Sequence, residues 1–295
     1  MARLLFALSW VIVSGFFVAL FCAVVSDSLD FKISMQKTDY FDVQPIFVKC
    51  VLKNISGRLV TVRKISEISH GLEFRLERAG FGIIKPFITV TDCGQPIVVS
   101  LAPNDSLVEW IRFTGIYGAP LRDGSHLWGF QDGEYSLVVT YESAHKSNEL
   151  KFSIIQPSGS DAEIAYLLRT IDNIWGIASN ESISFIIDDA LRESTDDDYG
   201  VLLLELRAQL YRPKFAEFDE RDLIEEKKSL QMLLDLYPDS PACERTLSRI
   251  IAYKESNHRL PMLERLAKDH VGRNLGYFAK RMIVEKQYLR YPVLN

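Results

Sequence analysis

Two periods of hydrophobic and polar positions run along the chain. From residue 28 to about 156 the pattern alternates. Ile46, Val48, Cys50 and Leu52 fall in one phase, and Lys49 and Lys53 in the other. Tyr135, Leu137, Val139 and Tyr141 repeat the alternation, as do Leu150, Phe152 and Ile154. Runs of period two are half-buried strands. Clusters of turn residues separate them: Asn54-Ile55-Ser56-Gly57, Asp92-Cys93-Gly94, Ala102-Pro103-Asn104-Asp105 and Asp132-Gly133. The spacing predicts roughly eight or nine short strands and a β-sandwich rather than a βαβ fold.

Near Gln156-Pro157-Ser158-Gly159 the period lengthens to that of a helix. Ser160 and Glu163 have the spacing of a capping box. Ile164, Leu167, Leu168, Ile171, Ile174 and Trp175 then mark one helical face. Further helices are expected at 182–193, 198–212, 219–237, 241–255, 260–270 and 273–289, the second of these beginning at Tyr199 behind a capping Asp198. Val201 to Leu206 is apolar almost all round, which predicts a central, buried helix. Leu223, Leu230, Leu233 and Leu234 form a one-sided stripe. The fold class is therefore α+β, with two domains in series: an all-β sandwich over 27–156, a linker at 157–160, and an all-α domain of helical hairpins over 161–295.

The N-terminus follows neither period. Leu4 to Val25 is a run of 22 residues without a charge, preceded by Arg3. It is long enough to span a bilayer and also has the basic start of a secretory signal. Residues 1–26 are thus a signal peptide cut before Asp27, or a membrane anchor. Either way the remainder lies outside the cytoplasm, whether periplasmic, secreted or anchored. The membrane is met only through residues 4–25, if that segment stays uncleaved.

Charge and reactive side chains narrow the function. With 34 Lys and Arg against 39 Asp and Glu, the net charge is −5 and no basic cluster occurs, which argues against nucleic acid. His70, His126, His145, His258 and His270 are scattered without ligand spacing, and no metal site or cofactor is expected. No nucleophile elbow or phosphate-binding glycine loop is present. The acids Asp188, Asp189, Asp196, Asp197 and Asp198 do not fit a calcium loop, because Gly200 stands at the wrong offset. Beyond the leader three cysteines occur, Cys50, Cys93 and Cys243. An oxidising compartment permits a Cys50–Cys93 disulfide; buried unpaired thiols are the alternative. Sequons for glycosylation occur at Asn54, Asn104 and Asn180.

Three segments, IFVKCVLKNISGRLV, SLAPNDSLVEWIRF and FQDGEYSLVVTY, resemble immunoglobulin-like bacterial sandwiches, including the proteinase-inhibitor type. That resemblance implies that Tyr135 closes a corner by bonding backbone, with Gly133 allowing the tight entry. The segment LLDLYPDSPACERTLSRIIAYKES resembles the repeat junction of tetratricopeptide-like proteins. Here Pro238 stops one helix, Ser240 caps the next, and Pro241 lies in its first turn. Such hairpins present a concave face to partners, which places Lys227, Lys228, Glu264 and Arg265 on a possible partner-binding surface. Together the two resemblances imply an exported, non-enzymatic binding or scaffold protein with a protein partner. The alternative is an extracytoplasmic enzyme or accessory subunit built from distant residues, such as the Asp188–Asp198 acids near His126.

Overall fold

The computed structural model describes residues 28–65, 71–86, 97–114, 119–120, 128–194, 197–212, 220–254, 256–286 and 289. Residues 4–25, Cys93, Asp196 and His126 lie outside the described residues. The protein is mixed α+β, with sheets in the N-terminal half and seven helices, among the described residues, in the C-terminal half. It divides into two compact units. Among the described residues, those up to Tyr40, from Ile46 to Ala119 and from Phe130 to Ile155 form the first; Phe41–Pro45, Pro120–Gly129 and those from Gln156 onward form the second.

In chain order the strands are β1 (Leu29–Ser34), β2 (Asp39–Phe41), β3 (Phe47–Asn54), β4 (Val60–Arg63), β5 (Leu72–Arg78), β6 (Gly82–Ile84), β7 (Val98–Leu101), β8 (Ser106–Arg112), β9 (Ala119–Pro120), β10 (Trp128–Gly129), β11 (Gly133–Tyr141), β12 (His145–Lys146) and β13 (Leu150–Ile155). One sheet runs β1-β3-β8 and a second runs β2-β13-β11-β5-β6, with β12 beside β11; β4 pairs with β7 and β9 with β10. The register aligns the apolar phases. Cys50 lies opposite both Ile33 and Glu109, and Leu137 opposite both Leu150 and Leu76. Because side chains alternate across a strand, those phases bury together. Phe31, Ile33, Cys50 and Leu52 of the first sheet share one core with Leu76, Leu137, Val139 and Phe152 of the second.

Two polar devices hold this unit's turns. Tyr135 Oη donates to the carbonyl of Gln131 at 2.6 Å, which is the expected corner. Gly133, at φ 141°, allows the entry: a Cβ there would meet Arg78 Nε at 3.0 Å. The ring of Tyr135 stacks on Phe152 with centroids 5.3 Å apart. Asn54, fully buried, joins two turns. Its Nδ2 donates to the carbonyls of Arg58, Leu101 and Ala102, and its Oδ1 accepts from the backbone and hydroxyl of Ser56. Glu109 points inward from β8, at the end of its sheet, and pairs with Lys64 at 3.7 Å. An inward charge on such a strand opposes edge-to-edge association.

The helices are α1 (Ser160–Ile174), α2 (Asn180–Glu193), α3 (Asp197–Leu210), α4 (Glu220–Leu236), α5 (Cys243–Ala252), α6 (Ser256–Asp269) and α7 (Asn274–Val284). Successive helices α1 to α5 pack pairwise, α6 packs on α7, and α5 also packs on α7. As its apolar run predicts, α3 is central, buried from Tyr199 to Leu204 without a break. Several helix starts differ from expectation: α2 begins at Asn180 rather than 182 and α6 at Ser256 rather than 260, and three others show their cause. Helix α1 begins at Ser160 itself behind Gly159, and no side chain caps it. Ser160 takes helical geometry, so its hydroxyl does not reach the third amide and no capping box forms. Helix α3 begins at Asp197, two residues early, so Asp198 stands inside the first turn, where its charge still suits the helix dipole. Helix α5 begins at Cys243, because Pro241 and Ala242 belong to a turn in which Ser240 Oγ accepts from Ala242 N at 3.2 Å.

Candidate functional site

The candidate surface is built on α4. Four consecutive charged residues, Glu225, Glu226, Lys227 and Lys228, step about 100° apiece around the helix, so they cannot share one environment. Glu226 turns inward and is 1% exposed. Its carboxylate is held from α5 and the residue that follows it: Arg249 Nε donates to Oε1, and Tyr253 Oη donates to Oε2 at 2.6 Å. Arg249 Nη2 also donates to Tyr253 Oη at 2.8 Å, which closes a three-member ring. Burial and then the Glu226 carboxylate push the Tyr253 phenol well above its ordinary value. Burial opposes charge on Arg249, but its bonds to Glu226 and then Tyr253 outweigh that, and its pKa rises.

Two lysines lie beside the ring. Lys227 is exposed, and its Nζ lies 5.1 Å from the centre of the Tyr253 ring, a cation–π distance. Lys228 is exposed too, with Nζ 3.9 Å from Glu225 Oε2. Glu225 in turn receives Arg207 Nη2 at 3.0 Å. Glu264 and Arg265 are exposed on α6. Helix α4 packs against α3 and α5, whereas α6 packs against α7. The two charged pairs therefore sit on helices with different packing neighbours.

A ladder of arginines accompanies the surface. Arg207 of α3 donates to Ser184 of α2 at 3.3 Å and to Ser229 of α4 at 3.1 Å. Arg249 of α5 holds Glu226 of α4, and Arg281 of α7 donates to Glu244 of α5. Sequence reasoning did not find these residues, although a signal exists. Glu226 is in helical phase with Leu223, Leu230 and Leu233, and Glu109 is in strand phase with Leu107 and Ile111. A charge in phase with an apolar stripe points inward and needs a partner.

Other expected groups have structural duties. Among the described residues, Cys50 and Cys243 are free, buried thiols, each pushed up to about 12, mainly by burial. Cys93, the other member of the possible Cys50–Cys93 disulfide, lies outside the described residues. Asp188 pairs with Arg207 at 3.2 Å and Asp189 with Arg192 at 2.8 Å. Burial lowers the pKa of His145, whose ring tilts against Tyr141. Among the described residues, no group of three or more His, Cys, Asp and Glu could hold a metal ion. Nor is any helix among them long and apolar enough to cross a membrane.

No known protein family and no curated protein matches the chain. Solved structures share only a partial likeness. A β-glucosidase from Erythrobacter marinus is 13% identical over 43% of this chain and 15% of its own, with a TM-score of 0.28. A β-glucosidase from Listeria innocua is 11% identical over 43% of this chain and 16% of its own, at 0.27. The CARDB domain of a Pyrococcus furiosus protein, solved with di-metal ions, is 14% identical over 44% of this chain and 94% of its own, at 0.24. The chain thus spans about one sixth of the length of the glucosidases it resembles.

Proposed function

We propose that the protein is a non-enzymatic binding protein of the cell envelope or extracellular space, acting on another protein. In this reading the β unit is an immunoglobulin-like sandwich and helices α4 to α7 are two tetratricopeptide-like hairpins. The single observation behind it is the Glu226–Arg249–Tyr253 ring, beside which Lys227 lies over the Tyr253 ring and Lys228 faces solvent. Fixed charges on a surface set specificity and encounter rate at protein interfaces. Glu264 and Arg265 add mixed charge on α6. The test is charge reversal, Lys227→Glu with Lys228→Glu, followed by affinity capture of partners from the native host. Because Lys227 lies over Tyr253 and Lys228 pairs with Glu225, the melts of parent and variant are compared to separate lost stability from lost binding. A variant that melts like the parent and loses its partner supports the reading; unchanged capture overturns it at this surface.

A further inference from the structure

One component of the helical unit's core comes from far upstream of its helices. Phe41 to Gln44 form a turn in which Gln44 N donates to the Phe41 carbonyl at 3.1 Å and Phe41 N donates to Gln44 Oε1 at 2.9 Å. Val43, 2% exposed, is buried in one cluster with Ile164, Leu168, Ile171, Leu202 and Leu206. Phe41 stacks on Tyr199 of α3, ring centroids 5.9 Å apart and planes 7° from parallel. Asp42 pairs with Arg169 of α1. Three successive side chains, aromatic, acidic and aliphatic, therefore meet a ring face, a cation and an apolar pit.

The polar fit is incomplete. Among the described residues, Asp42 Oδ1 and Gln44 Nε2 find no hydrogen-bond partner, and their residues are 8% and 1% exposed. A buried polar atom left unmet carries a desolvation cost. The turn is held by its side-chain anchors and its tether and opposed by these two polar atoms. A ligand that keeps the three anchors and leaves those atoms wet avoids that cost, but it competes with a segment held at high effective concentration.

We propose that the site around Arg169 and Tyr199 recognises a partner protein's turn of aromatic–acidic–aliphatic chemistry, and that Phe41–Gln44 is its built-in competitor. The proposal rests on the binding-protein reading and names what that protein recognises. The probe is a fluorescent peptide of residues 38–47, titrated into the full chain. Wild type binds it weakly. The full-length variant Phe41→Ala with Val43→Ala, its internal anchors removed, binds at least tenfold more tightly. Adding Arg169→Glu to that variant reverses the gain. Equal affinity for wild type and the folded double variant overturns the proposal. If the double variant does not fold, amide hydrogen exchange of wild type replaces it: faster exchange at Val43 with excess peptide upholds the proposal, and unchanged exchange overturns it. A concentration-dependent dimer abolished by Arg169→Glu assigns the site to a second copy and also overturns it. Peptide binding that survives Lys227→Glu with Lys228→Glu separates this site from the α4 surface.

Discussion

Gly200 and Gly276 show how much a single missing methyl can decide. A Cβ on Gly200 would lie 1.9 Å from Tyr237 Oη, and one on Gly276 would lie 2.0 Å from the carbonyl of His270. In an open helix, glycine to alanine adds about 1 kcal/mol of stability. Here the sign reverses, and more firmly at Gly276, where the obstacle is backbone. Gly276→Ala is expected to destabilise by about 2 kcal/mol, in the range of overpacked cores. Gly200→Ala is expected to cost less, because the Tyr237 ring can move; chemical denaturation of both variants measures the order. The thiols give a second residue-scale prediction. Cys50 and Cys243 are raised from an ordinary value of 9.0 to about 12, so the unfolded chain ionises first. Their contribution to stability is complete below 9.0 and is lost as pH rises toward about 12. A thiol reagent at neutral pH should label neither residue until denaturant is added; rapid labelling of the native protein would contradict their burial.

At the scale of elements, arginines tie neighbouring helices: Arg207 joins α2, α3 and α4, Arg249 joins α5 to α4, and Arg281 joins α7 to α5. Removing one partner of a buried pair leaves the other uncompensated, a cost of roughly 3–5 kcal/mol for full burial. The Arg249 side chain is 26% exposed, so Glu226→Gln is expected to fall below that, at about 2 kcal/mol. Tyr253→Phe should cost about 1 kcal/mol, and the two changes together less than their sum, because they break one network. A double-mutant cycle by urea melting checks this, and strict additivity would dissolve the ring as a unit. Much of this scale was legible in the sequence. The alternation at Tyr135–Tyr141 gives β11, and the apolar run at Val201–Leu206 gives the buried helix. Tyr135 and Gly133 foretell the corner because its bond spans only four residues. The helix starts were less legible: Ser160, with the right spacing for a capping box, sits one position too far inside the helix. The Glu226 ring was illegible as a pairing, since its members lie 23 and 27 residues apart on packed elements, although the phase of Glu226 already marked it as inward. Lys227 and Lys228 could be placed on the solvent side of a helix, but not beside Tyr253, for the same reason.

At the scale of the whole molecule, the chain passes between its two units after Tyr40, Pro45, Ala119, Gly129 and Ile155. Periodicity cannot reveal such traffic, because Val43 reads as an ordinary apolar residue whichever core receives it. Export is the prediction proper to this scale. Fractionation and N-terminal sequencing should find a chain that begins at Asp27 or remains membrane-bound through residues 4–25; a soluble, full-length cytoplasmic chain would refute export, since so long an apolar run is expelled from water. The Asp42–Arg169 pair spans 127 residues of sequence. At about 5–20 residues per second of synthesis, Arg169 emerges roughly 6–25 s after Asp42. Throughout that interval Phe41 and Val43 are nascent, sticky and early, with their destination still unmade. The chain thus has a built-in waiting period, during which this part of the helical core cannot close.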